Sequence, residues 1–171
     1  MGKEIYEAAV KGVFIKAMQA GYAIEGVKKT KVANMPGYKE IRYEDGQWLL
    51  VDRWCVHPKT EKSAGTTTIW HDGWPVWFMS YGGHYPESAI PFLKGALGHQ
   101  YCCEGVFLGG RGPARCLVSD LPLSDGPDLI YVNEWSGDFE HFSGKEKILA
   151  PQPLAGEVLI GYHEYWGMGL Y

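Results

Sequence analysis

Hydrophobic and polar positions alternate most clearly between Trp48 and Gly83. Trp48, Leu50, Asp52 and Trp54 fall on one face of a strand by period-two alternation, and Leu49, Val51 and Arg53 take the other. Asp45-Gly46 and Asp72-Gly73 mark tight turns, so the stretch predicts three antiparallel strands in a meander. A degenerate copy occupies Leu129–Tyr165, where Leu129, Tyr131, Asn133 and Trp135 take the equivalent face. Ser124-Asp-Gly-Pro127 opens that second meander, and Pro151–Gly156 replaces a hairpin turn with a longer loop.

Two helices precede the meanders. In Glu4–Ala20, Val10, Val13, Phe14, Ala17 and Met18 recur at helical spacing, and Gly21 supplies a C-terminal cap. In Ser88–Leu97, the apolar face is Phe92, Leu93, Ala96 and Leu97, with Ser88 as cap, Pro91 in the first turn and Gly98 behind.

Both helices run into the same words. Tyr22-Ala-Ile-Glu-Gly-Val27 matches Tyr101-Cys-Cys-Glu-Gly-Val106 at an offset of 79, as Gly65 and Ile69 match Gly144 and Ile148. Trp54 meets Trp135 and Tyr81 meets Tyr162 at an offset of 81. Offsets this constant predict an internal duplication with a unit of about 80 residues. Each unit reads as a helix, a strand after the Tyr, a variable connection and the meander. The expected fold is α+β, with an antiparallel sheet and a pseudo-twofold axis between repeat 1 (about 4–83) and repeat 2 (about 84–171). Tyr81-Gly-Gly-His-Tyr-Pro86 reads as a turn inside one fold, so 1–171 is read as a single domain.

Composition narrows the function. Hydrophobic residues make up 46% and charged residues 21% of the 171, the balance of an ordered globular chain. Aromatics reach 14%, with seven Trp, more than one small core absorbs, so some are expected to line a cleft or interface. The net charge of −4, with Lys28, Lys29 and Lys31 as the only dense basic run, argues against direct nucleic-acid binding. No apolar run is long enough for a membrane span, and the N-terminus lacks a secretion-signal pattern. Four Cys without C-x-x-C or framework spacing read as free thiols. The expectation is a cytoplasmic protein.

Candidate chemistry is sparse. Glu146 shares a strand face with Ile148, so a buried Ile148 implies a buried carboxylate. Arg111, presented in Gly109-Gly-Arg-Gly-Pro113, is its candidate partner. Three roles stay open for Glu146: an ion pair holding the loop to the sheet, an acidic group awaiting a cationic or hydrogen-bonding ligand, and a general acid. Cys55-x-His57 and His99 with Cys102 lack paired zinc-site spacing, so no metal or other cofactor is expected. There is no Gly-x-Ser-x-Gly elbow, and Gly109–Gly112 lacks the ending of a phosphate loop.

Five stretches stand out: Asp72-Gly-x-Pro-Val-Trp-Phe-Met-Ser-Tyr81-Gly, Phe92-Leu-Lys-Gly-Ala-Leu97, Gly110-Arg-Gly-Pro113, Tyr131-x-Asn-x-Trp-x-Gly-Asp138 and Phe142-x-Gly-x-Glu146-x-Ile148. Together they resemble an uncharacterised bacterial family that occurs alone or behind XRE-type helix-turn-helix regulators. The resemblance covers nearly the whole chain after about Phe14 and implies a sensing role without naming a reaction. The first repeat departs from it, with Thr67 where the family tends to carry Glu.

These readings converge on a small-molecule-binding or sensor-type domain with an aromatic cleft between the repeats. Its expected ligand is partly aromatic or cationic, held by Trp54, Trp77, Tyr81, Trp135, Glu146 and Tyr162, with Arg111 at the rim. The alternatives are a small-molecule hydrolase using Glu146 with His141 or His163, and an interaction module that binds a protein or a second copy of itself.

Overall fold

The computed structural model describes residues 2–22, 28–104, 106–121, 127–152 and 156–171. Helix α1 runs Lys3–Tyr22 and α2 runs Ile90–His99. The strands are β1 (Thr30–Lys31), β2 (Tyr38–Asp45), β3 (Trp48–Val56), β4 (Lys62–His71), β5 (Trp74–His84), β6 (Arg115–Leu117), β7 (Ile130–Gly137), β8 (His141–Gln152) and β9 (Gly156–Gly169). Among the described residues they form one antiparallel sheet in the order β1-β2-β3-β4-β5-β9-β8-β7-β6. The architecture is α+β, with both helices on one face of the sheet.

Alternation fixes which side chains meet the helices. Leu50, Ile69, Trp77, Met79, Tyr131, Phe142, Ile148 and Tyr165 all face inward and share one core with the helices. Helix α1 contributes Val10, Val13, Phe14, Ala17 and Met18, and α2 contributes Phe92, Leu93, Ala96 and Leu97. Phe14 meets the ring of Trp77 at 5.1 Å, and Trp77 stacks on Phe139 and Phe142 while its indole N–H donates to the Phe139 carbonyl. Each fully buried ring of this kind stabilises the fold by about 2–3 kcal/mol.

The turns follow the sequence closely. Asp72 and Gly73 both take positive φ, 51° and 80°, as a two-residue type I′ hairpin between β4 and β5 requires. Elsewhere packing overrides local signals. Glu87–Ala89 form a 3-10 turn, so Ser88 caps nothing and α2 starts at Ile90 with Pro91 in its first turn. Gly21 and Gly98 lie inside their helices rather than behind them. The strand expected after Tyr101 is a π-helical turn, Gln100–Glu104, that continues α2. Tertiary hydrogen bonds hold it: Gln19 of α1 donates to the Tyr101 carbonyl, and buried Gln100 donates to the Val106 carbonyl. The matching stretch after Tyr22 falls at 23–27, outside the described residues, as do 122–126 at the opening of the second meander. Tyr81–His84 is strand rather than turn, because β5 keeps pairing with β9 through His84. Pro151 belongs to β8, which pairs Gln152 with Gly156, so the longer loop expected there shrinks to 153–155, also outside the described residues.

Candidate functional site

The inward face carries a polar row in the middle of an apolar core. Register places Ser63 of β4, Gly83 of β5, His163 of β9, Glu146 of β8 and Asn133 of β7 side by side across the sheet. Alternation alone points all of them toward the helices.

Glu146 and Ile148 are both fully buried, as their shared face implies. Arg111 Nη2 donates to Glu146 Oε1 at 2.5 Å, and the Tyr131 hydroxyl donates to Oε2 at 2.5 Å. His163 Nδ1 stands 3.3 Å from Oε1, off the axis of a straight hydrogen bond. Burial alone pushes the carboxyl pKa up, but the Arg111 charge and the His163 ring overcome it and hold it at about 2. Glu146 is therefore a carboxylate at neutral pH and has no proton to donate as a general acid. Arg111 is 4% exposed, with its guanidinium 5.2 Å over the Tyr81 ring.

The loop that delivers Arg111 is itself buried from Gly109 to Pro113, so its backbone polar groups need partners inside the protein. They find them on side chains. Tyr101 donates to the Gly110 carbonyl, and Asn133 Nδ2 donates to the carbonyls of Leu108 and Gly112. Gly112 N–H donates to the Tyr131 hydroxyl, which passes its own proton toward Glu146. Gly109 and Gly110 take positive φ, and a Cβ on Gly109 would stand 2.6 Å from the Tyr165 hydroxyl. The Glu146 cluster is in this way the clamp of a buried loop.

A neighbouring row on the same face, Trp54, Gly65, Tyr81, Tyr165, Gly144 and Trp135, is a palindrome of residue types. Tyr81 lies over Gly65 and donates to Asp52, which also accepts from Thr67 at 2.8 Å; Tyr165 lies over Gly144 and donates to Asn133. Tyr81 thus answers Tyr165 across the β5/β9 seam. Tyr162 pairs with His84 and points to the other face of the sheet, where Lys145 sits over its ring.

The seven residues expected to line a cleft are accordingly divided. Trp77 is sealed in the core, Tyr81, Arg111 and Glu146 form the buried polar cluster, and Trp54 is half-buried under Lys29. Tyr162 faces the opposite side. Trp135, 36% exposed, borders the open groove described next.

That groove, of about 830 Å³, lies across β5, β9, β8 and β7. Ser80, Glu134, Lys145, Glu164 and Trp166 project into it from the face turned away from the helices, and Tyr81, Gly144 and Tyr165 complete its lining. Trp166 is 47% exposed and packs against Phe78 at 5.6 Å. Lys145 pairs with Glu164 and Lys147 with Glu134 across strands. Sequence reasoning had a signal for this surface: Trp166 alternates with Tyr165, so if one is core the other is not. Ser63 carried no such signal, because only the sheet register brings it to His163.

Among the described residues no group of three His, Cys, Asp or Glu side chains is placed to hold a metal, and Cys55, Cys102 and Cys116 are free thiols. No helix among them is long and apolar enough to cross a membrane. Comparison of the chain with protein-family models, with curated proteins and with solved structures finds no match in any of the three.

Proposed function

We propose that this chain is a cytoplasmic small-molecule-binding domain of the sensor type, and that its ligand lies in the groove over the β5/β9 seam. One observation carries the reading: an open groove of about 830 Å³, within the usual size of ligand sites, sits where a half-exposed Trp166 meets a floor of small residues. A flat aromatic ring stacks against Trp166, and a positive charge on the ligand competes with Lys145 and Lys147 for the exposed Glu164 and Glu134 carboxylates. The free thiols fit a reducing compartment. An internal duplication gives the groove its position. In support, β2-β3-β4-β5 and β6-β7-β8-β9 run toward the seam in mirrored order, and both β4/β5 and β8/β9 slip register just after an isoleucine, Ile69 and Ile148. The resemblance to a family found behind helix-turn-helix regulators fits the same role.

The test is a thermal-shift screen of metabolites and aromatic cations, followed by titration calorimetry of each hit. A hit that loses at least ~10-fold in affinity in both Trp166→Ala and Glu164→Gln supports the groove. Hits unaffected by either variant, or no hit at all, overturn it. The interaction-module reading rests on the same face, where Trp166, Met168 and Leu170 leave apolar surface exposed. Mass that rises with concentration in sedimentation, and falls back in Trp166→Ala, would favour it.

A further inference from the structure

We propose that Ser63 is an activated nucleophile, with His163 as its general base and Glu146 as the positioning carboxylate, and that the site transfers the acyl group of a small, negatively charged carboxylic ester to water. This goes beyond the binding reading and uses the other face of the sheet.

The geometry assigns each role. Ser63 Oγ and His163 Nε2 are 2.8 Å apart, and His163 Nδ1 lies 3.3 Å from Glu146 Oε1, within reach of its charge though off the hydrogen-bond axis. Glu146 is ionised and accepts only, so the ring proton belongs on Nδ1, leaving the Nε2 lone pair to take the Ser63 hydroxyl proton. Burial holds His163 neutral, as a base must be, and the negative charge of Glu146 stabilises the imidazolium that forms in the reaction. Arg111 and Tyr131 fix that carboxylate in place. The three residues belong to β4, β9 and β8, with β5 running between Ser63 and His163. Gly83 alone makes this reach possible, because a Cβ there would stand 3.0 Å from His163 Cδ2.

Access and substrate class follow from the surroundings. His163 is 6% exposed, but Ser63 is only half-buried, and its cross-strand neighbour Val56 is 47% exposed, so the nucleophile opens outward while the base stays dry. Trp54 is the diagonal neighbour of Ser63 on the same face, with Lys29 Nζ 5.6 Å from its ring. Lys29 in turn feels the charges of Lys94 and Lys39. An apolar ring beside clustered ammonium groups selects an ester with an acidic substituent.

The steps balance with water as the only co-reactant. Ser63 Oγ attacks the ester carbonyl carbon as its proton passes to His163 Nε2. The carbon–oxygen bond to the alcohol then breaks, and His163 gives that proton to the departing alkoxide. Water attacks the acyl–Ser63 ester while His163 takes its proton. Collapse releases the carboxylic acid, and the proton returns to Ser63.

The experiment combines covalent labelling with hydrolysis. A fluorophosphonate probe, which releases fluoride on phosphonylating an activated serine, is expected to add its mass to the peptide holding Ser63. Labelling should vanish in Ser63→Ala and persist in Ser119→Ala, whose exposed serine lies in the turn after β6, at the opposite end of the sheet from β4. Hydrolysis of a nitrophenyl ester bearing a free carboxylate should exceed that of its uncharged counterpart, and kcat/KM should fall at least ~100-fold in Ser63→Ala and in His163→Gln. In wild type the rate should rise with pH as His163 loses its proton. Glu146→Gln should move that midpoint downward, an effect a purely structural carboxylate would not produce. Melting curves identify any variant that fails to fold; Ser63→Ala removes one hydroxyl and decides the matter if the others do. The proposal is overturned if folded wild type takes no label, if label persists in Ser63→Ala, or if hydrolysis is equal in the two. Binding in the groove can fail while labelling succeeds, and the reverse, so the two readings are separable.

Discussion

Replacing Glu146 with Gln keeps the size of the side chain and removes its charge, leaving Arg111 buried at 4% exposure without its ion-pair partner. Breaking a buried ion pair from one side costs about 3–5 kcal/mol. The same carboxylate makes stability depend on pH. Glu146 titrates at about 2 in the fold against an ordinary 4.5, so its contribution is present above 4.5 and is lost as pH falls through 2. That lowering is itself on the order of 3 kcal/mol and includes the His163 ring as well as Arg111. For a chain of this size each kcal/mol moves the melting midpoint by about 2–4 °C, so Glu146→Gln should melt about 6–20 °C lower at neutral pH. The assay is calorimetry or circular dichroism at neutral pH, with urea unfolding down the acid limb. In the variant the decline in stability between about pH 4.5 and 2 should flatten, because the group responsible is gone. Arg111→Met should also destabilise, and the double variant should recover at least ~2 kcal/mol relative to the sum of the singles, since neither charge is then stranded. A cost below about 1 kcal/mol, an unchanged acid limb or simple additivity would refute the view that this pair clamps the loop.

Two further outcomes follow from the same face of the sheet. Gly83→Ala would push a methyl to 3.0 Å from His163 Cα and closer still to the Tyr162 carbonyl, so it should cost roughly 1–3 kcal/mol in urea unfolding; Gly82→Ala, whose nearest neighbour is the Ser63 carbonyl at 3.2 Å, should cost less. His163 is lowered below 6.5 by burial, so the unfolded chain takes up its proton first, and stability should decline as pH falls below about 6.5; His163→Gln should remove that part of the decline, measured as urea midpoints between about pH 8 and 5.

Local periodicity was enough to determine much of this protein. Period-two alternation placed Leu50 and Asp52, and likewise Tyr131 and Asn133, on the core face, because side chains on a strand can point only two ways. The same rule buried Glu146 with Ile148, and the spacing of Val10, Phe14 and Met18 fixed the buried side of α1. Asp72-Gly73 named its own turn, since few residue pairs tolerate two positive φ values.

Long-range pairing decided the rest. Tyr81 and Tyr162 lie at a repeating offset in the chain, yet the antiparallel β5/β9 register matches Tyr81 with Tyr165 and sends Tyr162 to the opposite face. A slip of so few residues is invisible to a sequence comparison and reverses the direction of a side chain. The π-helical turn at Gln100–Glu104 likewise owes its conformation to partners on α1 and beyond, against the strand that local similarity implied. The Ser63–His163–Glu146 line was the least legible of all. Its members are separated by up to 100 residues, and they meet only because four strands settle into one register with a glycine between two of them. Sequence fixes the direction of a side chain from its nearest neighbours, whereas what it touches depends on strands whose pairing is set by the whole core.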